Sequence, residues 1–212
     1  MRRLPVYLLL DTSGSMHGEP IEAVNNGVQM MISQLRQNPQ AIESAYISVI
    51  TFDSTATQVI PLTDLASFQM ISLRATGVTA LGDALRLVAQ CIDREVQKTT
   101  MEQKGDWKPL VFIMTDGVPT DSWQAGLAEF KQRKVAFTVA CAAGGGADTT
   151  VLKQITDNVV KLDEADGASI AKFFAWVSAS IGVTSTKVED FGKEVGGLSE
   201  LPPPPPELNL VI

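Results

Sequence analysis

The sequence is poor in the residues that build several common kinds of site. It has two cysteines and one histidine among 212 residues. Cys91 and Cys141 lie far apart in apolar segments, so neither a disulfide framework nor a zinc site is expected, and we predict two buried, reduced thiols. His17 is the single histidine and has no cysteine beside it, so the sequence gives little support for Ser–His–Asp or Cys–His catalysis. We expect His17 at a solvent-exposed helix start.

Long apolar runs and blocks of like charge are also missing. No stretch reaches the ~18 apolar residues that a membrane span needs. Arg2 and Arg3 before an apolar run resemble a signal peptide, but Asp11 ends the run and no small-residue cleavage site follows. We therefore expect a cytoplasmic protein that does not contact membranes. The formal net charge of −7 makes nucleic-acid binding unfavourable, because phosphate backbones would be repelled.

What the sequence does contain is the pattern of a folded α/β domain. Hydrophobic residues make up 45 %, which excludes disorder along the whole chain. The hydrophobic periodicity predicts strands at 6–10, 45–52, 55–60, 110–115, 135–142 and 159–162, and helices at 19–36, 81–96, 121–133, 148–157 and 169–181. This alternation predicts a Rossmann-like, doubly wound three-layer α/β sandwich whose mostly parallel sheet has one antiparallel edge strand, residues 55–60.

The pattern stops near residue 184, where we place the end of the domain. Residues 1–184 are assigned to the α/β domain and residues 185–212 to a flexible, Pro-rich tail. Five consecutive prolines, 202–206, favour an extended polyproline II conformation. The tail is interpreted either as a flexible end or as a docking peptide, which would mediate partner binding or self-association. In the second case Glu207 could reach the metal site of a neighbouring molecule.

Oxygen-bearing side chains follow the first predicted strand. Asp11, Ser13 and Ser15 alternate in the segment DTSGS, and Gly14 permits the loop to curl so that their oxygens converge. One carboxylate and two hydroxyls form a hard oxygen set, which Mg²⁺, Mn²⁺ and Ca²⁺ prefer. Loops after strands are also rich in Ser, Asp and Gly simply because they turn. The pentapeptide alone therefore leaves an ordinary turn open.

Two later residues strengthen the case for a cation site. Thr79 lies just before the predicted helix 81–96, and Asp116 directly follows the predicted strand 110–115. In doubly wound sheets, ligands bind beyond the carboxyl ends of the strands, where the strand order reverses. If the strand before Asp11 is the neighbour of the strand before Asp116, the two carboxylates face each other there. Three loops would then bring the oxygens of Asp11, Ser13, Ser15, Thr79 and Asp116 to one point.

This combination resembles the von Willebrand factor A (VWA) domain and its metal-ion-dependent adhesion site. The segments GVTALGDAL and MTDGVPTD are also similar to that family, and the resemblance covers roughly residues 4–183. It implies that Asp11, Ser13, Ser15, Thr79 and Asp116 are the ligands of one divalent cation. One aspartate would bind the cation directly and the other through water, and a Glu or Asp of a protein partner would complete the coordination. On availability we expect Mg²⁺, with Mn²⁺ or Ca²⁺ also compatible. The resemblance implies an interaction module and not an enzyme.

Within the family, the chain looks most like the bacterial tellurium-resistance Y-type proteins. That likeness implies a cytoplasmic stress-response adaptor, with a PP2C-type phosphatase and a kinase as candidate partners. Two alternatives stay open: a metal-dependent phosphohydrolase or phosphotransferase subunit, and a co-chaperone of an AAA+ ATPase. The phosphotransferase motif DxDx[TV] would have an aspartate in place of Ser13, so the general acid of that chemistry is missing.

Several other motifs receive structural interpretations. Gly144-Gly145-Gly146 does not match a phosphate-binding pattern, and we predict a turn that needs small residues. Asp121 is predicted to cap its own helix, 121–133. Asp53 is interpreted as a turn residue and Asp83 as a first-turn helix residue, although both could add negative potential near the cation.

Overall fold

A computed structural model describes residues 2–211 of the protein. Within this part of the chain it shows seven strands and six helices, joined by loops that include two single 3₁₀ turns. The strands are β1 Leu4–Asp11, β2 Ala45–Phe52, β3 Ala56–Asp64, β4 Leu110–Thr115, β5 Phe137–Ala143, β6 Val159–Leu162 and β7 Asn209–Leu210. The helices are α1 Glu19–Leu35, α2 Pro39–Ser44, α3 Leu81–Glu95, α4 Trp123–Lys131, α5 Thr149–Ile155 and α6 Gly167–Phe191.

The strands form one sheet in the order β3-β2-β1-β4-β5-β6-β7. The five central strands are parallel, and the predicted edge strand β3 pairs antiparallel with β2. The strand order reverses between β1 and β4, where Leu10 pairs with Met114. Consequently β1 and β4 end side by side at the carboxyl edge of the sheet. The predicted Rossmann-like doubly wound fold is confirmed.

Helices cover both faces of the sheet, which explains why its central strands are apolar along their whole length. The α1, α2 and α6 helices lie on one face, where Val24, Met31 and Phe174 belong to the core. The α3, α4 and α5 helices lie on the other face, with Leu85 and Phe130 in a second core layer. Every residue of β1 is buried, as expected for a parallel strand with helices on both sides.

The α3 and α4 helices approach closely at a pair of glycines. A Cβ atom on Gly126 would overlap the carbonyl oxygen of Gly82. At the same contact Asp121 accepts hydrogen bonds from the backbone N–H groups of Gly82 (3.0 Å) and Asp83 (2.8 Å). Our prediction that Asp121 caps its own helix is therefore wrong. Its carboxylate satisfies the free amides at the start of α3, while α4 begins at Trp123.

The predicted domain boundary also needs correction, because residue 184 lies inside α6. That helix continues to Phe191, and the next residue, Gly192, caps it. Gly192 has a φ of +61°, a conformation that favours glycine. The Pro-rich segment then packs back onto the domain. Leu201 is buried, and Trp176 on α6 donates its indole N–H to the carbonyl oxygen of Pro202 at 2.9 Å.

The chain finishes as a second antiparallel edge strand. In β7, Leu210 pairs with Val160 of β6, and the N–H of Val211 donates to the carbonyl oxygen of Val159 at 2.9 Å. Glu207, which we expected to be free to reach a neighbour's metal site, forms an ion pair with Lys172 of α6. The segment predicted to be a flexible tail is thus docked on its own domain. No helix within residues 2–211 is long and apolar enough to cross a membrane.

Candidate metal centre

The first loop of the site begins where β1 ends, at Asp11. The chain turns back at once, since the N–H of Met16 donates to the carbonyl oxygen of Ser13 at 3.0 Å. The Oδ1 atom of Asp11 accepts the N–H of Ser13 at 2.8 Å. The hydroxyl oxygens of Ser13 and Ser15 are then 3.0 Å apart. The alternating oxygens of the motif therefore do point into one place.

A second loop holds the first one in this shape. The N–H of Gly14 donates to the carbonyl oxygen of Gly77 at 3.1 Å, and the N–H of Thr76 donates to that of Thr12 at 2.8 Å. Gly77 has a φ of +72°, which other residues rarely adopt. Gly14, in contrast, does not have a positive φ. A Cβ atom on Gly14 would lie 3.2 Å from the carbonyl oxygen of Gly77. The absence of a side chain at Gly14 therefore lets the two loops approach each other closely.

Asp116 joins this cluster from the end of β4. Its Oδ1 accepts the hydroxyl of Ser15 at 2.7 Å. The loop after β5 packs against the backbone of the same residue: a Cβ atom on Gly146 would lie 2.7 Å from the carbonyl oxygen of Asp116. Gly144 has a φ of +82°. Gly144 and Gly146 therefore need to be small at this turn, as the sequence indicated, whereas Gly145 has open space around it.

Thr79 is positioned by the loop that follows Asp116. The N–H of Thr120 donates to the carbonyl oxygen of Thr79 at 2.9 Å, and the N–H of Thr79 donates to Thr120 Oγ1 at 3.2 Å. A Cβ atom on Gly117 would lie 3.0 Å from Thr79 Oγ1, so the Thr79 hydroxyl faces the loop of Asp116. The five predicted residues, from three loops, thus lie together at the carboxyl edge of the sheet.

One functional residue escaped the sequence analysis. Thr115, the last residue of β4, donates its hydroxyl to Asp11 Oδ2 at 2.5 Å. Both oxygens of the Asp11 carboxylate are therefore already oriented by the protein. The only hint of this role in the sequence was that an otherwise apolar strand ends with a hydroxyl-bearing residue immediately before Asp116. That signal is weak, because buried threonines are common in strands.

The electrostatics of the cluster favour a bound cation. Burial raises the pKa of Asp11, opposed by hydrogen bonds from Ser13 and Thr115 and reinforced by the charge of Asp116. Burial likewise raises the pKa of Asp116, opposed by the Ser15 hydrogen bond. Among residues 2–211, no Lys, Arg or His forms an ion pair with either carboxylate. Two carboxylates without a counter-charge, beside three hydroxyls, fit a hard divalent cation.

The other residues that we weighed have structural surroundings. His17 is exposed, and Cys91 and Cys141 are buried free thiols. Asp83 accepts the N–H of Ala56 at 2.7 Å, which ties the start of α3 to β3. Asp83 thus supports the fold, and within residues 2–211 none of these four side chains is hydrogen-bonded to the cluster.

A doubly wound sheet with a polar cluster beyond its carboxyl edge, where the strand order reverses, is typical of α/β domains that bind a ligand there. The profile of the von Willebrand factor type A domain matches residues 6–173, and the chain belongs to this family. Domains of this family commonly act as metal-dependent protein interaction modules.

One curated relative is the uncharacterized protein sll0103 of Synechocystis, 32 % identical over 123 residues. The match covers 55 % of this chain and 26 % of that protein, so the chain spans about a quarter of the relative's length. Among solved structures, the von Willebrand factor type A protein of Catenulispora acidiphila has a TM-score of 0.64 at 16 % identity, covering 86 % of this chain and 43 % of that one.

Two other solved structures share the fold. Proximal thread matrix protein 1 of the mussel byssus, described with a zinc-occupied MIDAS motif, has a TM-score of 0.64 at 18 % identity, covering 84 % of this chain and 48 % of that one. The pilus adhesin SpaC of Lactobacillus rhamnosus GG has a TM-score of 0.67 at 17 % identity, covering 86 % and 30 %.

Proposed function

We propose that the protein is a divalent-cation-dependent interaction module that binds an acidic side chain of a partner protein. The observation that carries the proposal is the cluster itself: two carboxylates without a counter-charge and three hydroxyls, brought together from three loops. Asp11, Ser13, Ser15, Thr79 and Asp116 would hold the cation. We propose Mg²⁺ on availability, since the oxygen set also suits Mn²⁺.

The chain's own residues explain why a partner acid would be needed. Three of the five side chains are neutral hydroxyls, which are weak donors to a metal. Both oxygens of Asp11 already accept hydrogen bonds from the protein. When bound, the cation would keep part of its positive charge and an open coordination position, and an incoming carboxylate could bind there. Asp11 is buried, whereas Ser15 is exposed and Asp116 half-buried, so the partner would approach from the side of these two residues.

The rim of the cluster indicates what should surround the partner's acidic residue. Val78 is 51 % exposed and Val118 is 56 % exposed, and they flank the loops that carry Thr79 and Asp116. The hydrogen bonds between Thr79 and Thr120 fix these two loops to each other. Exposed apolar side chains beside a cation site suit a partner whose acid is flanked by apolar residues. We propose that Val78 and Val118 contact such residues.

The cellular setting is a finer proposal, supported by the resemblance to the tellurium-resistance Y-type proteins. We propose a cytoplasmic bacterial stress response as this setting, with a PP2C-type phosphatase or a kinase as the partner. A ring of an AAA+ ATPase would use the same cation chemistry. Capture assays with candidate partners, each in Mg²⁺ and in EDTA, separate these possibilities, because only the true partner is released by the chelator.

We also propose that the protein performs no turnover. Ser13 and Ser15 are hydrogen-bonded to each other, and the residue that would serve as general acid in phosphotransfer is Ser13, which cannot do so at neutral pH. Incubation with p-nitrophenyl phosphate and Mg²⁺ tests this directly. Sustained hydrolysis that disappears in Asp116→Ala would contradict the proposal and favour the phosphohydrolase alternative.

The central test is calorimetric titration of Mg²⁺ and Mn²⁺ into the chelator-stripped protein. One-site binding is expected, and Asp11→Ala should abolish it. Asp157→Ala is a matched control, because Asp157 is an exposed aspartate at the end of α5, outside the cluster. Equal binding by all three proteins would refute the cation site. In the capture assay, the uncharged substitution Val78→Ser should weaken partner binding while its metal titration stays unchanged.

A further inference from the structure

Two adjoining grooves lie at the amino edge of the sheet, opposite the metal centre. Their volumes are about 550 and 520 Å³, and they share Asp93, Val96 and Lys98. The loop after α3 and the loop after α4 form their walls before the chain enters β4 and β5. Because α3 has 15 residues, its two ends are about 22 Å apart. Thr79 precedes one end, and the grooves begin at the other.

The charge of these grooves is opposite to that of the whole protein. The protein has a net charge of −7, yet four basic side chains and a single acidic one line the grooves. The acidic one, Asp93, is paired with Arg133 at 2.6 Å, and Arg133 also donates to the carbonyl oxygen of Glu129 at 2.6 Å. The three lysines are Lys98, Lys104 and Lys134.

These lysines are not used by the fold. Each is exposed, and none forms a hydrogen bond or an ion pair through its side chain with any other part of residues 2–211. Other lysines do have partners, such as Lys108 with Glu194 and Lys187 with Glu200. The charge of Lys98 helps Arg133 to lower the pKa of Asp93, so the two lie close together. One carboxylate among four basic side chains still leaves an excess of positive charge, which creates a local field that attracts anions.

The apolar residues at the floor of the grooves indicate which kind of anionic ligand would fit. Ile92 is buried and Val96 half-buried, and both line the groove between α3 and the loop after α4. An apolar floor between cationic walls suits an extended polypeptide that alternates acidic and apolar side chains. A bare phosphate or a sugar would leave that floor uncovered.

The two adjoining grooves form one continuous surface, which we call the basic groove. We propose that the basic groove binds an acidic segment of a second protein independently of the metal. Lys98, Lys104 and Lys134 pair with its carboxylates, and Ile92 and Val96 contact its apolar side chains. The groove and the metal centre lie at opposite edges of the sheet, so both can be occupied at once. The domain then links two proteins, which is what an adaptor must do.

The test uses the full chain in EDTA, so that the metal centre plays no part. The probe is a fluorescein-labelled peptide of alternating glutamate and leucine, and binding is followed by fluorescence anisotropy. Lys98→Glu and Lys134→Glu should each weaken binding about tenfold at low salt, because each reverses a charge that contacts the peptide. Added salt should weaken binding to the unaltered protein. Lys193→Glu, an exposed lysine elsewhere, should bind as the unaltered protein does.

Three outcomes would overturn the proposal. The first is equal peptide affinity in all the variants, and the second is equal binding of a control peptide with glutamine in place of glutamate. The third is a change in the sedimentation of the protein alone in the charge variants, which would make a second copy the occupant. Metal titration of Lys98→Glu separates the two proposals, since it should match the unaltered protein whether or not the peptide binds.

Discussion

The hydroxyl of Thr115 donates to Asp11 Oδ2 at 2.5 Å, across the neighbouring ends of β4 and β1. The N–H of Ser13 occupies the other oxygen of the same carboxylate. The orientation of Asp11 is thus fixed by two donors before any cation binds. Because most of the cluster consists of neutral hydroxyls, we expect the orientation of the Asp11 carboxylate to determine a large part of the metal affinity.

Thr115→Val should therefore weaken Mg²⁺ binding without unfolding the protein. Losing the hydroxyl removes one donor to a buried carboxylate, which costs about 1–2 kcal/mol and lowers metal affinity about tenfold. Calorimetry at matched pH measures the change. Thr138→Val is the control, because Thr138 is a buried threonine on the adjacent strand β5, away from the cluster. Equal losses in the two variants would mean that the Thr115 hydroxyl does not orient Asp11.

The raised pKa of Asp11 predicts how the stability of the metal-free protein changes with pH. Its unfolded value is about 3.8, and the folded value is higher, so the folded state holds the proton to higher pH. The contribution of Asp11 to the free energy of unfolding therefore falls as pH rises from the unfolded value through the folded one. Metal binding needs the carboxylate, so metal affinity should rise over the same range.

Asp11→Asn isolates this effect, because other carboxylates with lowered pKa values act in the opposite direction. In EDTA the variant should be more stable than the unaltered protein at neutral pH, and this advantage should shrink as pH falls toward 4. Urea denaturation across that range gives the difference. A variant that is less stable by the same amount at every pH would contradict the prediction.

Gly126→Ala should separate the α3 and α4 helices. The added methyl group would overlap the carbonyl oxygen of Gly82, and overpacking of this kind costs about 1–3 kcal/mol. Because Asp121 bonds to the first turn of α3 at this contact, metal affinity should fall as well. Gly145→Ala, whose methyl group meets no atom within 4 Å, should change neither quantity. Denaturant midpoints and metal titrations of the pair provide the measurement.

The C-terminal segment offers a matched pair two residues apart. Leu208 is 3 % exposed and Leu210 is 52 % exposed. Leu208→Ala should lower the free energy of unfolding by about 2–3 kcal/mol, whereas Leu210→Ala should change it by less than about 0.5 kcal/mol. Guanidinium denaturation followed by tryptophan fluorescence compares them. Equal, small effects would show that this segment does not contribute to the folded domain.

Much of the fold could be predicted because local patterns determine it. The apolar runs of β1 and β4, and the 3.6-residue periodicity of α1 and α3, specify buried strands and amphipathic helices without reference to the rest of the chain. The position of the cluster followed from topology, since Asp11 and Asp116 each directly follow a buried parallel strand. The carboxylates at the ends of recognisable strands were therefore predictable.

The features that escaped prediction depend on contacts distant in sequence. Asp121 caps α3, whose first residues lie 38 and 39 positions earlier in the chain, so its local sequence points to the wrong helix. Thr115 acts on Asp11, 104 residues away. In the C-terminal segment, Leu201 and Leu208 are separate buried residues around a proline run. Their seven-residue spacing would fit one face of a helix, but the five prolines between them exclude a helix, so periodicity could not reveal the docking.

Pairing of β7 with β6 has a consequence for how the molecule meets other copies of itself. An uncovered edge strand of a sheet presents a row of free N–H and C=O groups, which invites pairing with another chain. Leu210 and Val211 occupy those groups on β6 from within the same molecule. The C-terminal segment therefore covers this edge of the sheet, and a chain cut at residue 184 would leave β6 open to pairing with another copy of the protein.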